Sequence, residues 1–148
     1  MIFPNHKKQT TGCDEEKILV FTECYCPNGH QLITGNARFN EFDGILLKIE
    51  KGDETGHIAL SPVYGCHFRV SVGINLREDE MYTLSCPECG TALPVYSKCH
   101  CGGDIFALFL DKKARFNSFI GACNRIGCTN SFIQIAEKII TSARQEAL

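Results

Sequence analysis

Thiols and imidazoles recur along this chain at spacings that suit a bound metal ion. They fall in four short clusters: Cys24, Cys26 and His30; Cys86 and Cys89; Cys99 and Cys101; Cys123 and Cys128. Each cluster carries the Gly or Pro that a tight turn needs, as in Cys26-Pro27-Asn28-Gly29-His30 and Cys86-Pro87-Glu88-Cys89-Gly90. Ligands placed this way can grip one ion, most simply zinc, without distorting the backbone. The candidate ligands are Cys26, His30, Cys86, Cys89, Cys99, Cys101, Cys123 and Cys128, with Cys24 and Cys66 as substitutes. At four ligands per tetrahedral site, they imply two zinc ions per chain.

Four ligand pairs combine into two sites in three ways. Proximity along the chain favours Cys86 and Cys89 with Cys99 and Cys101, leaving Cys26 and His30 to meet Cys123 and Cys128. A cross-braced rival joins the first cluster to Cys99 and Cys101, and Cys86 and Cys89 to Cys123 and Cys128.

The stretch from Cys86 to Gly103 resembles the zinc-ribbon family, in which a Cys-Pro-x-Cys-Gly knuckle precedes a short hairpin and a second cysteine pair. Pro87 stiffens the turn, and Gly90 lets the backbone curl so that amides face the sulfurs. The resemblance covers residues 86–103 alone and implies one site made of Cys86, Cys89, Cys99 and Cys101. Its second knuckle is Cys-x-Cys where ribbons usually have Cys-x-x-Cys, which leaves His100 as an alternative ligand.

The elements that must position these turns read mostly as strands. Ile18–Thr22, Phe68–Leu76, Met81–Ser85, Ile105–Leu110 and Arg115–Ile120 are rich in β-branched and aromatic residues. Ile45–Glu50 and His57–Ser61 flank a turn at Lys51–Gly56. The C-terminus has a different period. Phe132, Ile135, Ala136, Ile139 and Ala143 recur at helical spacing, with Gln134, Glu137, Lys138, Ser142 and Arg144 opposite. Thr129, Asn130 or Ser131 would cap that helix. The expected fold is therefore α+β and β-rich, with zinc-ribbon-like hairpins, metal knuckles and a C-terminal amphipathic helix. Its expected parts are a loose lead-in over 1–16, a β-rich region with the Cys/His knuckle over 17–84, a ribbon-like region over 85–128 and the helix over 129–148. Residues 17–148 would form one compact unit.

Composition narrows the function. The chain has 148 residues, 44% hydrophobic and 22% charged, which suits one globular unit and not a disordered one. Net charge is -2, and Lys7-Lys8 and Lys112-Lys113 are the only adjacent basic pairs. With no Trp and 9% aromatics, this weighs against a nucleic-acid surface. Ten cysteines would fit a secreted disulfide scaffold, but Met1–Lys17 has no apolar signal core. The longest apolar run, Ile105–Leu110, is far too short for a membrane span. A cytoplasmic, reducing location and metal-bound thiolates are expected, with no membrane association.

No catalytic motif competes. A glycine-rich phosphate loop, a His-Glu-x-x-His helix, a serine elbow and a zinc-deaminase signature are all missing. Cys66 and His67 are adjacent, so on a strand they point to opposite faces and do not form a catalytic pair. A filled four-ligand zinc site has no position for water or substrate. The expectation is a non-enzymatic zinc-binding protein, an adaptor or small subunit of a larger complex with a protein partner. The alternative is an iron–sulfur or rubredoxin-like electron carrier, because four thiolates also suit iron.

Overall fold

The computed structural model describes residues 19–39, 41–66, 69–135 and 138–141. The expected lead-in over 1–16, the strand start at Ile18, His67 and Phe68, and Ala136, Glu137, Ser142, Ala143 and Arg144 of the expected helix lie outside the described residues.

Ten strands are present among the described residues: β1 (Ile33–Phe39), β2 (Phe42–Lys51), β3 (Glu54–Leu60), β4 (Arg69–Val72), β5 (Thr83–Ser85), β6 (Val95–Lys98), β7 (Asp104–Phe109), β8 (Ser118–Cys123), β9 (Ser131–Ile135) and β10 (Lys138–Thr141). They make two antiparallel five-stranded sheets. In the first, β1, β2, β3 and β4 lie in order, and β5 pairs with β2. The second is a meander, β10-β9-β8-β7-β6.

Alternation builds the core. On β2, Ile45, Leu47 and Ile49 are buried, while Leu46, Lys48 and Glu50 between them are only partly so. On the second sheet, Phe106 and Leu108 of β7 and Ile120 of β8 join the same cluster, so one apolar core lies between the sheets. Each fully buried Leu or Ile there contributes about 1.5–3 kcal/mol relative to exposure. The intervening Ala107, Phe109 and Phe119 point to the outer face, where Phe119 packs its ring against Phe116, Phe132 and Tyr96. Among the described residues, no helix is long and apolar enough to cross a membrane.

The expected C-terminal helix is corrected by the structure, and with it the α+β class: the described residues are all-β. Ser131–Ile135 pairs with β8, and Lys138–Thr141 folds back on it. The helical spacing of Phe132, Ile135 and Ile139 misled because the run is also dense in β-branched residues, which a short apolar segment can use either way. Tertiary packing settles the choice. Phe132 lies opposite Gly121 in the register, and its ring fills the space where a side chain would stand: a Cβ there would come within 2.6 Å of Phe132 Cζ. Ile133, opposite Ile120, is fully buried. The expected strand at Ile18–Thr22 reduces, in its described part, to a single bridge between Val20 and Val63.

Candidate metal centres

All four knuckles are hairpin tips built to one plan. In the first, the Gly29 N–H donates to the Cys26 carbonyl and the Cys26 N–H donates to the His30 carbonyl, at 2.9 and 3.0 Å. In the second, Gly90 and Thr91 play the same two parts for Cys86, and in the third Gly102 and Gly103 do so for Cys99. The fourth is a wider loop: Cys123 N–H donates to the Asn130 carbonyl, seven residues on, and within it Cys128 N–H donates to the Arg125 carbonyl. Each turn places one glycine in the left-handed region, Gly29, Gly90, Gly102 and Gly127, at φ of +86°, +76°, +102° and +101°.

The tight turns also aim amides at sulfur. In every knuckle the N–H two residues beyond a cysteine donates to its Sγ: Asn28 to Cys26 at 3.3 Å, Glu88 to Cys86 at 3.3 Å, Gly103 to Cys101 at 3.4 Å and Arg125 to Cys123 at 3.5 Å. Such donors stabilise thiolate charge and fix its direction.

The knuckles meet in two groups. Cys26, His30, Cys86 and Cys89 form one, and Cys99, Cys101, Cys123 and Cys128 the other, with the ligand atoms of each group within 4.8 Å of one another. The structure therefore brings the eight candidates together, but in the third pairing, neither of the two drawn from the sequence. Cys24 and Cys66 belong to neither group, and His100 does not either. Cys24 is fully buried, and burial raises its thiol well above the ordinary range.

Strand direction explains the pairing. The β6–β7 and β8–β9 turns lie at the same end of the second sheet, so the knuckles at Cys99 and Cys123 face each other. Cys89 precedes β6 and Cys99 follows it, so that strand carries them to opposite ends. At the far end of β7, Phe109 pairs with Tyr25, which draws the Cys26 tip toward that end. The six residues of β7 span about 20 Å, which separates the two centres. The single-site ribbon implied for residues 86–103 is thus divided between two centres.

The donor sets fit tetrahedral metal. With zinc–sulfur bonds near 2.3 Å, two thiolates on one ion lie about 3.8 Å apart. Cys26 Sγ and Cys89 Sγ are 3.8 Å apart, Cys99 Sγ and Cys128 Sγ 3.8 Å, and Cys101 Sγ and Cys123 Sγ 3.5 Å. His30 presents Nδ1 at 3.5 Å from Cys26 Sγ, close to the about 3.6 Å expected of a nitrogen and a sulfur on one ion.

Two asparagines escaped the sequence reading. Asn28 Nδ2 donates to Cys89 Sγ at 3.4 Å and to Thr91 Oγ1 at 2.9 Å, and Asn130 Nδ2 donates to Cys99 Sγ at 3.3 Å. Each reaches from its own knuckle to a sulfur on the facing one. Asn28 reads as a turn residue and Asn130 as a helix cap, each for local reasons, so neither position hinted at it.

Electrostatics differ within each centre. Hydrogen bonds from the Thr91 hydroxyl, Asn28 and the Thr91 amide bring the Cys89 thiol down to about 5. Burial pushes its neighbour Cys86 up to about 11. In the second centre the Gly103 amide brings Cys101 down to about 6. Burial opposes ionisation of Cys99, but hydrogen bonds led by Asn130 outweigh it, and the thiol lies below its ordinary value. Burial raises Cys123 and Cys128. Each centre thus pairs ready thiolates with thiols that must surrender a proton to a metal.

Comparisons with protein families, with curated proteins and with solved structures find no match for this chain.

Proposed function

We propose that this chain is a non-enzymatic protein held together by two structural zinc ions, acting as an adaptor or small subunit of a larger complex in a reducing, cytoplasmic setting. The observation that carries the metal reading is the pair of four-ligand groups. Each supplies a full tetrahedral set, so a bound ion keeps no open position for substrate. In the first centre Cys26, His30, Cys86 and Cys89 would hold the ion, in the second Cys99, Cys101, Cys123 and Cys128. The ion supplies cross-linking: each centre clamps two hairpin tips distant in the chain, and metal binding of this kind is folding free energy. The adaptor reading rests on that rigidity and on the missing catalytic motifs.

A second reading attaches to the second centre alone. Its all-thiolate set, with amides donating to sulfur, also suits iron, as in a rubredoxin-like electron carrier. The histidine in the first centre favours zinc there.

Metal analysis and the visible spectrum of anaerobically purified protein separate these readings. Two zinc ions and no colour support the structural reading; iron with a thiolate charge-transfer band overturns it for that centre. For the adaptor role, the metal-loaded chain purified from its own cells should bring a stoichiometric protein partner, lost in Cys101→Ser. Recovery of the chain alone would count against it.

A further inference from the structure

Between the two sheets, reaching the fourth knuckle with Cys123, Cys128 and Asn130 in its lining, lies a cavity of about 150 Å³. Ile45, Ile49 and Ile58 wall it on the first sheet, and Phe106, Leu108 and Ile120 on the second. Its rim includes the loop after β3 and the β8–β9 turn, joined where the Tyr64 hydroxyl donates to the Ser131 carbonyl at 3.5 Å. Two arginines, Arg69 and Arg125, also line it, and among the described residues no Asp or Glu does.

The arginines are not equivalent. Arg125 is held by Asp79 at 3.0 Å, whereas Arg69 makes no ion pair with a described residue. An uncommitted guanidinium beside an apolar chamber offers a two-pronged donor to an anion whose remainder is apolar. One free guanidinium matches a singly charged carboxylate better than a phosphate, whose second charge would need another cation. Size sets the tail: an apolar cavity of about 150 Å³ accepts a molecule as large as benzene.

We propose that this cavity is a binding site for a small amphipathic carboxylate, with a tail of about five or six carbons between the sheets and its carboxylate on Arg69. The cavity abuts the second metal centre through Cys123 and Cys128, but the proposed contacts are with the apolar walls and Arg69 and need no chemistry from the metal.

The test is titration of the metal-loaded full chain with sodium hexanoate, read from the methyl resonances of Ile45, Ile58 and Ile120. Hexan-1-ol and acetate serve as comparisons. Hexanoate should shift these methyls to saturation and bind about fivefold more tightly than hexan-1-ol, the ratio expected of one exposed charge pair. Acetate should leave the methyls unmoved. In Arg69→Ala, hexanoate should fall to the affinity of hexan-1-ol, while hexan-1-ol binding is unchanged. Three results would each overturn the proposal: methyls that ignore hexanoate, equal binding of acid and alcohol to the unsubstituted chain, or unchanged hexanoate affinity in Arg69→Ala.

Discussion

Asn28 Nδ2 lies 3.4 Å from Cys89 Sγ and so ties two hairpin tips that are 61 residues apart in sequence. The bond is made to a sulfur of the facing knuckle, which places Asn28 among the groups that orient the ligands. Asn28→Ala should weaken metal binding at the first centre by about 10–100-fold, the usual loss when such a supporting donor is removed. The second centre should be unaffected. Competition with a chromophoric chelator reads both, and equal weakening of the two centres would contradict the assignment.

Gly103 offers the matching test at the second centre. A Cβ at this position would lie 2.8 Å from Cys123 Sγ and 3.0 Å from Arg125 Cβ, so Gly103→Ala removes no ligand yet displaces one. The expected penalty is about 1–3 kcal/mol, confined to that centre. Chelator competition with unchanged affinity there would show that the knuckle accommodates the methyl group.

Acid should release metal in a graded way. A ligand with a lowered pKa stays thiolate as pH falls until its own pKa is reached, and only then must metal displace its proton. Cys101 is held near 6 and Cys89 near 5, so between pH 6 and 8 neither costs a proton. Cys86, Cys123 and Cys128, raised by burial, give up theirs throughout this range. At the second centre, a plot of log affinity against pH should therefore steepen as pH falls through about 6, where Cys101 begins to hold a proton that the metal must displace. Isothermal titration across that range measures the slope, and a constant slope at the second centre would contradict the shift.

The pairing of β8 with β9 has a direct signature. Gly121 opposite Phe132 and Ile120 opposite Ile133 should give cross-strand Hα and amide contacts in nuclear Overhauser spectra. Consecutive amide–amide contacts through 131–135 would instead restore the helix.

Much of this architecture is legible in residue types. Alternation of Ile45, Leu47 and Ile49 marks β2, and the Gly- and Pro-bearing cysteine turns mark the four knuckles. What is not legible depends on contacts remote in sequence. Phe132 and Ile133 fit a helical stripe until Gly121 opens space for an aromatic ring on a neighbouring strand. Cys89 and Cys99 are close in the chain, and only the extended course of β6 between them shows that they serve different centres. Asn28 looks like a turn residue and Asn130 like a helix cap, because their sulfur partners lie on other hairpins.

The pairing of ligands is the central claim, and metal content of two double variants tests it most directly. Cys26→Ser with Cys86→Ser damages one centre twice, so the chain should keep one metal ion at Cys99, Cys101, Cys123 and Cys128. Cys86→Ser with Cys99→Ser damages both centres and should leave none bound tightly. The reverse outcome, no metal in the first variant and one in the second, would contradict this pairing and restore the single-site ribbon of Cys86, Cys89, Cys99 and Cys101.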